Sequence, residues 1–170
     1  MFEGFSFLYA DKSTHEIETV LFHNIETFLH KKYGQNPDRA IVERVHQEWN
    51  AIEVNGNALD VAILHELCKW MRQAGYAYWL NGNTGSSFIL YLLGVAAVNP
   101  LPAHYLCPKC HSVRWEKYYK SGFDLPPDFC SCGNGRNFMQ ADGHDIPWQI
   151  LWEYDGKPKE LHIKIDPTLQ

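Results

Sequence analysis

The sequence predicts an α+β fold, in which a helical segment precedes a loop-rich region with a small sheet and a cysteine cluster. Stretches with helical periodicity fill residues 1–75, and short strand-like segments follow from residue 76. Four of the five cysteines lie in a small module at about residues 103–140. A length of 170 residues fits one domain with such a module. We therefore divide the chain into residues 1–75 and 76–170, packed as a single domain.

Three amphipathic helices are predicted in the first part of the chain. The first begins at an S-x-x-E capping box at residues 13–16 and ends before Gly34. The second is expected to begin with Asn36 as the N-cap and Pro37 in the first turn. The third spans roughly residues 59–75, with its apolar side chains at helical spacing.

The periodicity changes after residue 75. Residues 76–80 are short and aromatic, which favours a strand, and residues 113–119 predict another. Residues 87–98 are apolar on all sides, which is typical of a buried helix. Residues 161–165 alternate between apolar and polar side chains and predict a half-buried strand.

Charge and hydropathy exclude some classes of protein. The formal charge of −5 argues against a domain that holds DNA through non-specific phosphate contacts, although a local basic patch is compatible with it. No apolar run approaches the roughly 20 residues of a membrane span. The first eight residues lack the basic region and cleavage site of a signal peptide. We therefore expect a cytoplasmic protein with no membrane association, whose cysteines are reduced or metal-bound.

The clustered cysteines predict a structural zinc site. Cys107 and Cys110 form a C-x-x-C pair, and Cys130 and Cys132 form a C-x-C pair after 19 intervening residues. Two such pairs can supply the four ligands of tetrahedral zinc. A zinc ion with four protein ligands stabilises the structure and has no open coordination position for catalysis. Free thiols are the alternative. Gly133 allows the chain to wrap around the second pair.

Other residues near the cluster have simpler interpretations. His111 and His144 are substitute ligands if one cysteine is not used, or else solvated or hydrogen-bonded side chains. Cys68, on the third helix, is interpreted as a small core or boundary residue. The basic residues close to the cluster either form a solvated face or contact a phosphate backbone; they are Lys109, Arg114, Lys117 and Lys120.

A glycine-serine loop lies between the first predicted strand and the apolar segment. It contains Gly82, Gly85, Ser86 and Ser87. Amides at a helix N-terminus and serine hydroxyls can bind a phosphate, although the lysine of a Walker loop is absent. The alternative is a simple turn in which Ser86 is the N-cap and the glycines adopt positive φ.

The order of the motifs resembles the palm region of PolC-type bacterial DNA polymerase III alpha subunits, the replicative polymerases of Gram-positive bacteria. The resemblance is carried by L-N-G-N-T-G-S-S-F from residue 80, V-N-P-L-P-A-H-Y-L-C-P-K-C from residue 98, S-G-F-D-L-P from residue 121 and D-G-H-D-I-P from residue 142. It covers most of the chain, and more loosely includes the three-helix segment.

The resemblance implies a small nucleotidyltransferase-like palm, of the polymerase beta type, with an inserted zinc module. Cys107, Cys110, Cys130 and Cys132 fall on the zinc cysteines of the family, although its second pair is C-x-x-C. The loop from Gly82 to Ser87 falls on the glycine-serine loop that faces the triphosphate of the incoming nucleotide. Here Asn83 replaces a serine, and no basic residue precedes the loop.

The sequence departs from the family where catalysis would be expected. The family has two aspartates, one residue apart, on the strand after the D-G-H-D-I-P motif, whereas our alignment places Glu160 and His162 there. Asp166 is the nearest aspartate. Histidine is a poor ligand for magnesium, which takes oxygen ligands. The family's third catalytic aspartate, its fingers, thumb and exonuclease have no counterpart in these 170 residues. We therefore predict no catalytic residues.

These features predict a zinc-binding, palm-like homologue without polymerase activity, which acts as a nucleic-acid-associated or replisome-associated binding module. The alternative is a small nucleotide-binding enzyme that uses the Gly82–Ser87 loop to bind a nucleotide with magnesium. A third hypothesis is a decaying paralogue that retains only its fold. Nucleoside triphosphate binding with and without magnesium would distinguish the second hypothesis from the other two.

Overall fold

The computed structural model describes residues 9, 11–80, 82–133, 135–151 and 163–165. Four α-helices and seven short strands are present in these residues: α1 (Thr14–Tyr33), α2 (Arg39–Val54), α3 (Ala58–Gln73), β1 (Tyr78–Leu80), α4 (Phe88–Leu92), β2 (His104–Leu106), β3 (Val113–Trp115), β4 (Phe129–Cys130), β5 (Asn137–Phe138), β6 (Gln140–Asp142) and β7 (Ile163–Ile165). The mixed α and β content confirms the coarse fold class. A nucleotidyltransferase-like palm with a zinc insertion stays a prediction, as does the division at residue 75.

The capping box at the start of α1 is confirmed. The Ser13 hydroxyl accepts a hydrogen bond from the Glu16 amide at 3.3 Å, and the Glu16 carboxylate accepts one from the Ser13 amide at 2.7 Å. These contacts satisfy two amides that the helix itself cannot pair. The buried stripe of α1 consists of Ile17, Leu21, Ile25, Leu29 and Tyr33.

The predicted start of α2 is wrong by two residues. Asp38, not Asn36, is the N-cap, and its carboxylate accepts a hydrogen bond from the Ala40 amide at 2.9 Å. Both Asx side chains suit the position, but only Asp38 directly precedes the helical residues. Pro37 consequently lies before the helix and not in its first turn.

The helix predicted over residues 87–98 ends much earlier than expected. Helix α4 stops at Leu92, and Gly94 adopts a φ of 70°, which reverses the chain. The amides of Val95 and Ala96 then both donate to the carbonyl of Leu90. Val95 remains buried although it is not helical. The prediction of burial is therefore confirmed for residues such as Phe88, Leu92 and Val95, but it is wrong for Ala97 and Val98, which are exposed, and the helix is shorter than predicted.

The strands form three small antiparallel sheets among the described residues. β1 pairs with β7, β2 lies between β3 and β6, and β4 pairs with β5. In the first sheet, Trp79 lies opposite Lys164. The strands predicted over residues 76–80 and 113–119 exist, but each is three residues long. The third, predicted over residues 161–165, is described only at 163–165.

The apolar side chains form two clusters. The larger joins the buried faces of all four α-helices with residues such as Leu101 and Leu106. The smaller consists of Ala103, Tyr105, Cys107, Leu125 and Met139, with Cys130 and Cys132 packed against it. The cysteine-bearing segment therefore has a small core of its own.

None of the helices that the structure describes combines the length and the apolar character needed to cross a bilayer.

Candidate metal centre and glycine-serine loop

Two turns bring the four clustered cysteines together. Cys107 directly follows β2, and the amide of His111 donates to the Cys107 carbonyl at 2.9 Å, which closes the turn that carries Cys110. Cys130 lies in β4, and Cys132 follows before Gly133, whose φ is 69°. The four sulfur atoms all lie within 4.8 Å of one another.

The sulfur positions fit a tetrahedral metal ion. Cys107 Sγ lies 3.6 Å from Cys132 Sγ, and Cys110 Sγ lies 3.7 Å from Cys130 Sγ. A tetrahedral ion with Zn–S bonds of about 2.3 Å separates its sulfur ligands by about 3.8 Å. A disulfide would require about 2 Å. The four cysteines can therefore hold a metal ion, and zinc is compatible with this donor set.

The thiols do not ionise independently of one another. Contacts with the Ser112 side chain, whose oxygen lies 3.2 Å from Cys110 Sγ, and with its backbone lower the pKa of Cys110 to about 6. Burial, followed by hydrogen bonds with the neighbouring thiols, raises the pKa of Cys132 to about 12. Because thiolates at such short distances repel, a divalent cation is needed before all four can be charged.

The two histidines lie outside the cysteine cluster. His111 Nδ1 lies 3.0 Å from the Lys32 carbonyl, and His144 Nδ1 lies 2.9 Å from the Ser121 hydroxyl. The group that could hold a metal consists of the four cysteines, among the residues described. Cys68 is fully buried in the larger apolar cluster, as its position on α3 predicted.

The nearby basic residues divide into two groups. Arg114 forms ion pairs with Glu116, at 3.4 Å, and with Asp128, so its charge is largely compensated. The other three have exposed side chains; they are Lys109, Lys117 and Lys120.

The glycine-serine loop is a 3₁₀ turn over Gly82–Ser86, followed by α4. Ser87, not Ser86 as expected, is the N-cap, and its hydroxyl accepts a hydrogen bond from the Leu90 amide at 3.2 Å. Ser86 instead donates to the Asn83 carbonyl at 2.7 Å. Gly85 does not have the positive φ expected for a turn glycine.

A carboxylate of the chain itself occupies the N-terminus of α4. The side chain of Glu48, which is 2% exposed, accepts hydrogen bonds from the Ser87 hydroxyl at 2.7 Å and from the amides of Phe88 and Ile89 at 2.9 and 3.0 Å. Arg44 pairs with the same carboxylate and donates to the Ser86 carbonyl at 2.7 Å. The Ser87 hydroxyl and the first amides of α4, which were expected to face a phosphate, therefore contact Glu48.

The outer side of the loop is also covered. The Gln149 amide donates to the Ser86 hydroxyl at 3.1 Å, and the Asn83 side-chain amide donates to the Ile150 carbonyl at 2.5 Å. Asn57 donates to the next carbonyl, that of Leu151, at 2.8 Å. The segment over residues 149–151 therefore contacts both the loop and the start of α3.

The first aspartate of the D-G-H-D-I-P motif lies in a partly buried polar network. Asp142 pairs with Lys32 at 3.0 Å and accepts hydrogen bonds from the Tyr91 hydroxyl at 3.0 Å and from the Asn99 amide at 2.9 Å. Burial alone would raise its pKa, but the hydrogen bond from Asn99 and the charge of Lys32 lower it overall. The motif thus connects β6 with α1 and α4.

Sequence reasoning did not identify Glu48, yet a signal was present. Glu48 occupies a position on the apolar stripe of α2, three residues after Val45 and four before Ile52. Arg44 lies one helical turn earlier, where it can form an ion pair. A charged residue on a buried stripe needs a partner, and this requirement predicts a polar contact even though it does not identify it.

Three residues at or next to the strand that aligns with the family's catalytic strand lie outside the described residues. They are Glu160, His162 and Asp166. The absence of a catalytic aspartate pair therefore stays a prediction from the sequence.

The structure thus combines a mixed α and β fold with four clustered cysteines that could hold a metal ion and with a glycine-serine turn. The family model for the bacterial DNA polymerase III alpha NTPase domain matches residues 19–131. The chain is 35% identical over 140 residues to a PolC-type DNA polymerase III of Caldanaerobacter subterraneus subsp. tengcongensis, covering 81% of this chain and 10% of that protein. The chain therefore belongs to the bacterial DNA polymerase III alpha family, as the sequence motifs indicated.

Other relatives give the same result. The PolC-type DNA polymerase III of Thermotoga petrophila is 38% identical over 127 residues, and that of Mycoplasma genitalium is 36% identical over 126 residues. These alignments cover 73% and 74% of this chain, but only 9% of each relative. The chain spans about a tenth of the length of the curated relatives it matches.

Proposed function

We propose that this chain is a zinc-bearing, palm-like member of the family that does not polymerise DNA and acts as a nucleic-acid-associated or replisome-associated binding module in the cytoplasm. The observation that carries the zinc assignment is the approach of Cys107, Cys110, Cys130 and Cys132 to within 4.8 Å of one another. The association with replication is supported by PolC-type relatives that are named as DNA polymerases.

The lack of polymerase activity is proposed from the sequence. Phosphoryl transfer to a primer uses two metal ions about 4 Å apart, which bridge the attacking and leaving oxygens. Such ions need several carboxylates, because magnesium prefers oxygen ligands. Our alignment supplies Glu160 and His162 where the resemblance implies two aspartates.

The alternative, a nucleotide-binding enzyme built on Gly82, Gly85, Ser86 and Ser87, has less support. A triphosphate at this loop would compete with Glu48 for the amides of Phe88 and Ile89 and for the Ser87 hydroxyl. Because these donors already have a charged acceptor, a second anion gains little from them. Gly85 is exposed, whereas Ser86 and Ser87 are buried.

Metal analysis tests the zinc assignment. Protein purified without chelator is expected to contain one zinc per chain, and Cys107→Ser is expected to lose the metal and to unfold at lower denaturant concentration, because structural zinc binding is coupled to folding. Cys68→Ala, which removes a cysteine outside the cluster, is the control and is expected to retain the zinc. A stable wild-type protein without metal would contradict the assignment.

Primer extension with magnesium and with manganese tests the catalytic assignment. No template-dependent extension is expected from the wild-type chain. Extension that is lost in Glu160→Ala or Asp166→Ala would show that these carboxylates hold catalytic metal ions, and the proposal would then be wrong.

A further inference from the structure

Two polar side chains lie beside the sulfur atoms of the four-cysteine site. The oxygen of Ser112, directly before β3, lies 3.2 Å from Cys110 Sγ and 3.8 Å from Cys130 Sγ. The side-chain nitrogen of Asn137, the first residue of β5, lies 3.4 Å from Cys132 Sγ. Three of the four sulfur atoms therefore have a hydroxyl or amide group beside them.

The fourth sulfur atom has a different environment. Cys107 is fully buried in the smaller apolar cluster. Cys110 is exposed, and Cys130 and Cys132 are partly exposed. Among the residues that the structure describes, the two polar side chains are thus found at the three sulfur atoms whose residues are accessible to water, and apolar packing surrounds the other.

A bound metal ion would give these contacts a defined direction. In the metal-free chain the Cys110 thiol donates to the Ser112 oxygen. Zinc binds the thiolate, so the thiol proton is lost when the metal binds, and the hydroxyl must then be the donor. Four thiolates around one divalent cation keep an excess of negative charge. Hydrogen bonds to charged acceptors are stronger than those between neutral groups, so such contacts stabilise the metal-bound state.

The orientation of the Asn137 side chain is set by backbone acceptors. Its nitrogen donates to the carbonyl oxygen of Cys132 at 2.8 Å and lies 3.4 Å from that of Gly135. The amide oxygen cannot take this place, because it would have no proton to offer to either carbonyl. Asn137 is also directly opposite Cys130 in the pair of β4 and β5. The donor end of the side chain is therefore held at the second cysteine pair.

We propose that Ser112 and Asn137 are positioning residues of the metal site, which donate hydrogen bonds to the thiolates of Cys110 and Cys132 and disperse the negative charge of the four ligands. Groups that form hydrogen bonds with metal ligands orient those ligands and tune the affinity for the metal. The inference rests on the zinc assignment proposed above and names two residues outside the cysteine motif that set the affinity of that site.

The first test measures zinc affinity of the full chain by competition with a chromophoric chelator. We expect Asn137→Ala to weaken zinc binding roughly 10- to 100-fold, as is typical when a hydrogen-bond partner of a metal ligand is removed. Ser112→Ala should fall at the lower end of this range, about tenfold, because Ser112 is exposed and water can partly replace its hydroxyl. Ser112→Thr keeps the hydroxyl and should retain the affinity.

Ser131→Ala is the matched control for Ser112→Ala. Ser131 is also an exposed serine next to a metal-ligating cysteine, but its side chain forms no hydrogen bond with the described part of the chain. Its removal is therefore expected to leave the zinc affinity unchanged.

The second test separates a hydrogen bond to sulfur from support of the loop alone, since Asn137 also contacts backbone carbonyls. Cobalt(II) in place of zinc gives a charge-transfer absorption band from sulfur to metal. Loss of a donor to a thiolate raises the energy of the sulfur electrons, so the band should move to longer wavelength in Ser112→Ala and Asn137→Ala. It should not move in Ser131→Ala or Ser112→Thr. The visible bands of tetrahedral cobalt should keep their intensity if all four cysteines remain bound.

The outcomes separate this inference from the zinc assignment. A wild-type chain that binds no zinc overturns both. Equal zinc affinity in the wild type, Ser112→Ala and Asn137→Ala overturns the inference and leaves the zinc assignment intact. Weaker binding with an unmoved charge-transfer band, or an equal shift in Ser131→Ala, also overturns it, because the side chains would then act only on the shape of the loop. Circular dichroism of each zinc-loaded variant confirms that folded proteins are compared.

Discussion

Replacing Glu48 by alanine should be among the most destabilising single substitutions in the helical part of the chain. The side chain is 2% exposed and accepts hydrogen bonds from the Ser87 hydroxyl and from the amides of Phe88 and Ile89. Without it, these donors lose their acceptor inside the protein. The guanidinium of Arg44 also loses its ionic partner, although that side chain retains 16% exposure and some access to water.

The magnitude follows from these contacts. A hydrogen bond to a charged group contributes about 1.5–3 kcal/mol, and removing one partner of a buried ion pair costs about 3–5 kcal/mol. The contributions share one carboxylate and do not add. We therefore expect Glu48→Ala to reduce the free energy of unfolding by about 3–5 kcal/mol. Glu48→Gln keeps one acceptor oxygen and should cost roughly half as much.

The assay is equilibrium unfolding in urea, with Glu43→Ala as the control. Glu43 lies on the same helix and pairs with Arg39 through the same i, i+4 spacing, but the two side chains are 54% and 91% exposed. Such an exposed pair contributes at most about 1 kcal/mol. Equal losses of stability in Glu48→Ala and Glu43→Ala would show that the carboxylate does not hold the loop, and the reasoning would be refuted.

Two further predictions concern the D-G-H-D-I-P motif. Gly143 has a φ of 87°, and a Cβ at this residue would lie 2.7 Å from the Leu101 carbonyl oxygen. Gly143→Ala should therefore lower the midpoint of thermal unfolding by several degrees, as measured by calorimetry. The pKa of Asp142 is lower in the folded state than in the unfolded chain. The ionised carboxylate therefore stabilises the fold at any pH above its unfolded-state pKa, including neutral pH. This stabilisation is lost as the pH falls through the folded-state pKa. Asp142→Asn should therefore flatten the dependence of unfolding free energy on pH in the acid range; an unchanged dependence would contradict this.

Local signals predicted the helices well and failed where distant contacts decide the structure. The capping box at Ser13 and the stripe of α1 are properties of neighbouring residues, so the sequence contains them completely. The length of α4 is different, because an apolar run with no polar face does not distinguish a helix from a buried irregular segment. The positive φ at Gly94 ends the regular structure, and Val95 is buried without it.

The candidate sites also differ in whether they depend on neighbouring residues or on residues far apart in the sequence. The cysteine pairs were recognisable because zinc ligation imposes short, regular spacings, and the turn after Cys107 supplies them locally. The contact between Glu48 and the loop joins residues about 40 positions apart, and no spacing rule predicts it. The cavity of about 1270 Å³ that Lys31 of α1 and Arg72 of α3 both line was not predicted either, because residues of separate helices reach one cavity only through packing.

The Asp142 network connects parts of the fold that are distant in the sequence. Asp142 belongs to β6 and contacts Lys32 of α1 and Tyr91 of α4, two residues that line the same cavity. Strand β6 pairs with β2, and Cys107 follows β2 directly. If breaking the contact between Lys32 and Asp142 changed the affinity of the cysteines for a metal ion, metal binding would have to change the stability of that contact by the same factor.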